Sequence, residues 1–108
     1  MNIATRAVAL AVIGVAATVV AGGAQAFPNV QPKEGYVPNA ATAVAIAEAV
    51  LIPIYGETEI AGDRPYRARL DGGVWTVSGT LPPNTVRGTA VAMIAKDDGR
   101  IVRVFHEQ

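Results

Sequence analysis

The chain has 108 residues, no cysteine, and nine basic against nine acidic side chains. The absence of cysteine excludes disulfides, thiolate metal sites, thiol catalysis and a lipid anchor attached to a cysteine. The neutral charge balance gives no sign of a nucleic-acid or anionic-membrane partner, because either would need a basic patch.

The first 26 residues have the three parts of a secretory signal peptide. Arg6 supplies a positive start, residues 7–21 carry no charge, and the run Ala24-Gln25-Ala26 places small side chains beside a cleavage bond between Ala26 and Phe27. The alternative is an uncleaved anchor, but a spanning helix needs about 20 apolar residues, and this run is shorter. We therefore expect a cleaved precursor whose product is periplasmic or secreted, with no stable insertion in a membrane.

The mature chain begins with an extended leader over residues 27–38, because prolines and a glycine recur through it. A helix follows, with Asn39 or Thr42 as its cap and Tyr55-Gly56 as its end. Its apolar residues recur at steps of three and four, which predicts one face that packs against a sheet. These residues are Ala43, Ile46, Ala47, Val50, Leu51 and Ile54.

After a polar stretch over residues 57–65, which predicts a loop, four strand-like runs alternate with turns. The runs cover residues 66–70, 74–81, 89–96 and 100–106. The turns Asp71-Gly72-Gly73 and Asp97-Asp98-Gly99 contain residues that tolerate positive φ, which favours two successive hairpins. The pattern predicts a single α+β domain over residues 39–108, in which one helix packs on a curled four-stranded antiparallel sheet.

No group of residues indicates catalysis, a cofactor or a bound metal. His106 is the only histidine, and one imidazole without neighbouring thiols or carboxylates is a poor zinc site. Asp71, Asp97 and Asp98 all lie in predicted turns, where aspartate usually binds the local backbone. Trp75 lies at the centre of an alternating strand, which favours a core position. We predict a protein that is not an enzyme.

Arg67 and Arg69 alternate with apolar residues in the first predicted strand and therefore share one face of the sheet. Arg103, in the last predicted strand, could lie near them across the sheet. Arginines aligned in this way can bind an acidic partner through paired hydrogen bonds to carboxylates. The alternative is an ordinary solvated face, and the sequence leaves both open.

Four segments, in this order and spacing, resemble the bacterial immunity proteins with a nuclear-transport-factor-2-like (NTF2-like) fold that accompany Rhs-type polymorphic toxins. The segments are PIYGE (53–57), PYRA (65–68), VWTVSGTLP (74–82) and IAKDDGRI (94–101), followed by His106. The resemblance covers about residues 38–108. Where the family tends to have paired glycines before the third strand, this chain has Arg87-Gly88.

The resemblance implies a short version of the cone-like cystatin or NTF2 fold and a role in neutralising a toxin by protein binding. The interface would use aromatic and arginine anchors. The candidates are Tyr55, Tyr66, Arg67, Arg69 and Arg103. The alternative function is a periplasmic small-ligand or envelope-associated module, which predicts a cavity lined by Trp75, Val77 and helix residues.

Overall fold

The structure, a computed structural model, describes residues 27–108. The predicted signal peptide, including Ala26 on one side of the predicted cleavage bond, lies outside the described residues. Residues 27–30 carry no helix or strand. Gln31–Gln108 forms one unit that contains every helix and strand of the described residues.

Helix α1 (Ala40–Tyr55) begins and ends where the sequence predicts. The side chain of Asn39 accepts a hydrogen bond from the backbone N–H of Thr42 at 2.9 Å, which satisfies one of the unpaired donors of the first turn. Gly56 follows the last residue with φ of 97°, a conformation that glycine adopts without a side-chain clash. The predicted apolar face is buried at Ala43, Ala47 and Leu51, whereas Ile54 in the last turn is exposed.

Helix α2 (Glu57–Gly62) lies where the sequence analysis predicted a loop, so that prediction is wrong for these six residues. Glu57 and Glu59 lie in its first turn, where acidic side chains stabilise a helix through its dipole. Ile60 is fully buried and attaches the helix to the core. One buried side chain in a polar stretch gives no periodicity to detect, which explains the error.

The strands are β1 (Arg67–Asp71), β2 (Val74–Ser78), β3 (Ala90–Ala95) and β4 (Ile101–His106). They form one antiparallel sheet in chain order, which confirms the predicted meander and the α+β fold class. Gly72 and Gly73 join β1 to β2 with φ of 57° and 78°, as a two-residue hairpin turn requires. The register between β3 and β4 shifts between Met93 and Ile94, and such a bulge bends the strand that carries it.

The core lies between α1 and one face of this sheet. Trp75 is 7% exposed and Val77 is fully buried, and both pack in one cluster with the buried alanines of α1. Trp75 is therefore a core residue, as predicted. Both residues are buried in this cluster, and neither lines either of the two surface hollows described below, so the cavity expected for a small-ligand module stays a prediction.

The leader attaches to the domain at the turn between β3 and β4. The N–H groups of Tyr36 and Val37 donate to the carbonyls of Asp97 and Lys96 at 2.8 and 3.0 Å. The indole N–H of Trp75 donates to the carbonyl of Val37 at 2.8 Å, and the Val37 side chain is fully buried. The end of the leader is thus part of the core.

Candidate protein-binding face

The sheet face that points away from α1, called the outer face below, carries the three predicted arginines in two rows. Antiparallel pairing aligns Arg67 with Ser78, Val91 and Phe105, one residue from each strand. The next row on the same face holds Arg69, Thr76, Met93 and Arg103. Arg67 and Arg69 are therefore neighbours on β1. Arg103 lies on the same face, on the strand at the opposite edge.

A hollow of about 370 Å³, called the outer hollow below, opens on this face. Val91 is buried at its floor and the half-buried ring of Phe105 borders it, while Arg67 and Arg69 supply positive charge on the β1 side. Arginine and aromatic side chains around a partly apolar floor are typical of protein interfaces. The complete lining is Arg67, Ala68, Arg69, Thr76, Ser78, Val91, Phe105 and Glu107.

Arg67 and Arg69 are both exposed, and the side chain of neither makes a hydrogen bond or an ion pair with any other residue of the range 27–108. The guanidinium carbon of Arg103 lies 4.5 Å from the centroid of the Phe105 ring, a cation–π contact. The N–H groups of Arg67 and Arg69 therefore remain available to the carboxylates of a partner.

The two predicted tyrosines lie elsewhere. Tyr66 is only 5% exposed and packs in the core cluster beneath α1. Tyr55 is half-buried at the end of α1, and its ring centroid lies 5.7 Å from that of His106, which is exposed. The structure thus places the three predicted arginines on one face of the sheet, with Arg103 at the opposite edge from Arg67 and Arg69, and it places the side chains of both tyrosines on the helix side.

A second hollow, called the helix-side groove below, lies between the start of α1 and β1 and measures about 490 Å³. Small apolar side chains line most of it: Ala40, Ala41 and Val44 from α1, and Ala68 from β1. Tyr66 and Arg67 complete the lining. Both hollows therefore border the same strand, β1, on its two sides.

Comparison with known protein families gives a match that covers most of this structure. The family described as NTF2 fold immunity protein matches residues 42–108, which include nearly all of α1, all of α2 and all four strands. The chain belongs to this family. No curated protein and no solved structure matches it.

Membership confirms the resemblance that the segment order predicted. The helix packed on a four-stranded antiparallel sheet agrees with the fold of an NTF2-fold immunity protein. Membership also supports a toxin-neutralising role, in which the partner is a protein. The matched range contains the outer face, the outer hollow and both edges of the sheet, and it contains the lining of the helix-side groove except for Ala40 and Ala41.

The domain also has a set of paired charges beside α2, called the α2 corner below, which sequence reasoning missed. Asp63 is 2% exposed and accepts two hydrogen bonds from the guanidinium of Arg87, at 2.8 and 3.2 Å. Arg64 contacts Glu48 at 2.7 Å and Glu57 at 3.4 Å. These charged hydrogen bonds raise the pKa values of both arginines.

Burial and nearby acidic side chains also affect Tyr66 at this corner. Burial of the phenol raises the pKa of Tyr66 above its usual 10.0, and the negative charge of Asp63 raises it further. The hydroxyl group has no hydrogen-bond partner among the described residues. The phenol is therefore neutral at physiological pH.

The dipeptide Arg87-Gly88, where the family tends to have paired glycines, contributes to the α2 corner. Arg87 provides the counter-charge for Asp63, which is 24 residues earlier in the chain. Gly88 is tightly packed, because a Cβ atom there would overlap the Cβ of Glu107. Neither contact leaves a local sequence signal, since both join segments that only the fold brings together.

Most acidic side chains of the described part of the chain make hydrogen bonds or ion pairs within the domain. Asp98 accepts a hydrogen bond from the backbone N–H of Arg100 at 3.0 Å, as its predicted turn role requires, and this bond lowers the pKa of Asp98. Residues 27–108 contain no group of three His, Cys, Asp or Glu side chains that could hold a metal ion. No helix in the same range is long and apolar enough to cross a membrane.

Proposed function

We propose that this immunity protein is exported and neutralises a toxin by binding it, without chemistry, through the outer face of its sheet. Family membership supports the role, and the pair Arg67 and Arg69 carries the assignment of the face. Two exposed arginines, whose side chains form no ion pair with any residue of the range 27–108, lie side by side on a strand, next to a hollow with an apolar floor and an aromatic ring. Such a surface suits a partner that presents carboxylates around an apolar contact.

Binding fits this surface better than catalysis does. The outer hollow contains a single carboxylate, from Glu107, and no histidine. Acid–base chemistry needs groups that exchange a proton near neutral pH, whereas guanidinium groups remain protonated. Arginine and phenylalanine instead offer fixed charge and contact area, which are what an inhibitor needs to occlude a toxin.

The first experiment is affinity capture of the processed protein from the periplasm of its native host, with mass spectrometry of what it retains. We expect a toxin at stoichiometric amounts. If no protein partner is retained, the neutralising role is overturned. Fractionation and N-terminal sequencing of the same material test export, for which we expect a periplasmic or secreted product beginning at Phe27.

The second experiment tests the face. We expect the double variant Arg67→Glu/Arg69→Glu to bind the captured toxin at least about 100-fold more weakly, since a loss of about 1.4 kcal/mol for each interface arginine is tenfold. Lys33→Glu/Arg100→Glu, which changes net charge equally at the leader and the β3–β4 turn, is the matched control and should bind normally. Equal binding by both double variants would exclude the outer face as the contact surface.

A further inference from the structure

The hairpin geometry identifies which backbone groups of β1 face open space. The two-residue turn makes Asp71 and Val74 a hydrogen-bonded pair, and hydrogen-bonded pairs then alternate along an antiparallel ladder. Arg69 and Arg67 therefore direct their backbone groups at β2. The N–H and C=O groups of Ala68 and Leu70 point to the free edge, where they bond to no other described segment.

The two hollows flank this edge strand. The outer hollow and the helix-side groove share Arg67 and Ala68 as lining residues. Because successive side chains of a strand point to opposite faces, a further strand added beside β1 would direct alternate side chains towards the outer hollow and the helix-side groove. Space for both sets of side chains is therefore already present.

The side chains of β1 indicate the chemistry of such a strand. On the outer face, Arg67 and Arg69 would oppose its side chains and would favour carboxylates, because directly opposed charges of unlike sign stabilise a sheet. On the helix side, Ala68 is half-buried and Leu70 is 43% exposed, which favours small apolar side chains. A second copy of this chain is disfavoured, since antiparallel pairing of two β1 strands would bring arginines together.

We propose that the toxin docks by adding an extended segment, alternating acidic and apolar residues, to the free edge of β1. This inference rests on the proposed function and specifies the partner's contact. Main-chain hydrogen bonds to Ala68 and Leu70 supply affinity, while the two hollows and the arginines select the side chains. The acidic residues face the outer hollow and the apolar residues enter the helix-side groove.

The direct test is amide hydrogen exchange measured by NMR at neutral pH. The probe is a blocked eight-residue peptide of alternating glutamate and valine, and the control peptide alternates lysine and valine. We expect the acidic peptide to slow exchange at Ala68 and Leu70 by about tenfold or more, with little change at Arg69, which already pairs with β2. No slowing with the peptide added to millimolar concentration, or equal slowing by the lysine peptide, overturns the proposal.

A variant tests the same contact without relying on side-chain charge. Ala68→Pro removes one N–H that points to the free edge and removes no hydrogen bond to β2. Edge strands tolerate proline at such positions. We expect Ala68→Pro to weaken peptide binding about tenfold, which corresponds to about 1.4 kcal/mol, because one main-chain bond is lost. The control is Val104→Pro, in the strand β4 at the opposite edge. The backbone N–H of Val104 points away from β3, so this variant should retain binding. If Ala68→Pro fails to fold, the exchange measurement on the unaltered chain still decides.

The same exchange measurement on the captured toxin complex separates this inference from the proposed function. A stoichiometric complex in which Ala68 and Leu70 exchange as fast as in the free protein overturns edge docking and leaves toxin neutralisation standing. Selective binding of the acidic peptide by a protein that captures no toxin supports the edge site and overturns neutralisation. Protection of both amides in the toxin complex supports both.

Discussion

The α2 corner and the β1 side of the outer face each carry two arginines, and the two regions use them in opposite ways. At the corner, Arg64 and Arg87 are paired with Glu48 and Asp63. On the outer face, the side chains of Arg67 and Arg69 have no hydrogen-bond or ion-pair partner among residues 27–108, although Arg67 follows Arg64 by only three residues. An arginine that already binds a carboxylate of the domain has few free N–H donors for a ligand. Arginines that stabilise the fold therefore differ from those available to a partner in whether their side chains are paired.

The largest effect on stability is expected at the corner. Arg87→Met should lower the free energy of unfolding by about 2 kcal/mol, because it leaves the carboxylate of Asp63 buried without its counter-charge. The estimate lies below the value for fully buried pairs, since the Arg87 side chain is 48% exposed and water attenuates the pair. Urea denaturation at pH 7 measures it. Arg87→Lys should lose less, and a loss below about 0.5 kcal/mol for Arg87→Met would place this pair with ordinary surface pairs.

A smaller effect is expected at the other arginine of the corner. Arg64→Met removes contacts to Glu48 and Glu57 that are largely solvated, so we expect a smaller loss of unfolding free energy than for Arg87→Met. Because salt screens exposed charges, the difference from the unaltered protein should shrink when denaturation is repeated in 1 M salt. A loss that matched Arg87→Met and ignored salt would contradict the ranking of the two pairs.

On the outer face the expected effect on stability is smaller still. Arg67→Met/Arg69→Met should change the free energy of unfolding by less than about 0.5 kcal/mol, since neither side chain has an internal partner to lose. Affinity for the captured toxin should fall by at least about tenfold, because the bidentate contacts are lost. Denaturation and a binding titration on one preparation give both numbers. Unchanged affinity together with reduced stability would reverse the assignment of these arginines.

The last expected effect is pH-dependent and arises in alkali. The pKa of Tyr66 is raised in the fold. As pH rises above about 10, the phenol of Tyr66 therefore loses its proton in the unfolded chain before it does so in the folded domain. Stability from the neutral buried phenol is therefore complete below pH 10 and is lost as pH rises towards the folded-state pKa. Denaturation from pH 9 to 11 should show a steeper loss in the unaltered protein than in Tyr66→Phe. Parallel curves would mean that the phenol is not insulated by burial.

The order of α1 and the four strands could be predicted because each of them leaves a local pattern. Apolar residues at steps of three and four, with a cap at each end, indicate α1, and glycine-containing turns between alternating runs indicate the four strands. Helix α2 was missed because six residues with one buried isoleucine carry no period. The separation of Tyr66 from Arg67 follows from strand alternation. The loss of Tyr66 as an exposed anchor follows from the position of α1 above it, which no local pattern encodes.

The sequence by itself determined the fold class, the family, the shared face of Arg67 and Arg69, and the turn role of Asp98, because each depends on residues near one another in the chain. Only the tertiary structure decided which arginines have partners. Asp63 contacts Arg87, which lies 24 residues later in the chain, and the two hollows form on either side of the edge strand β1. Such contacts arise from packing between distant segments, so they are fixed by geometry and leave no periodicity in the sequence.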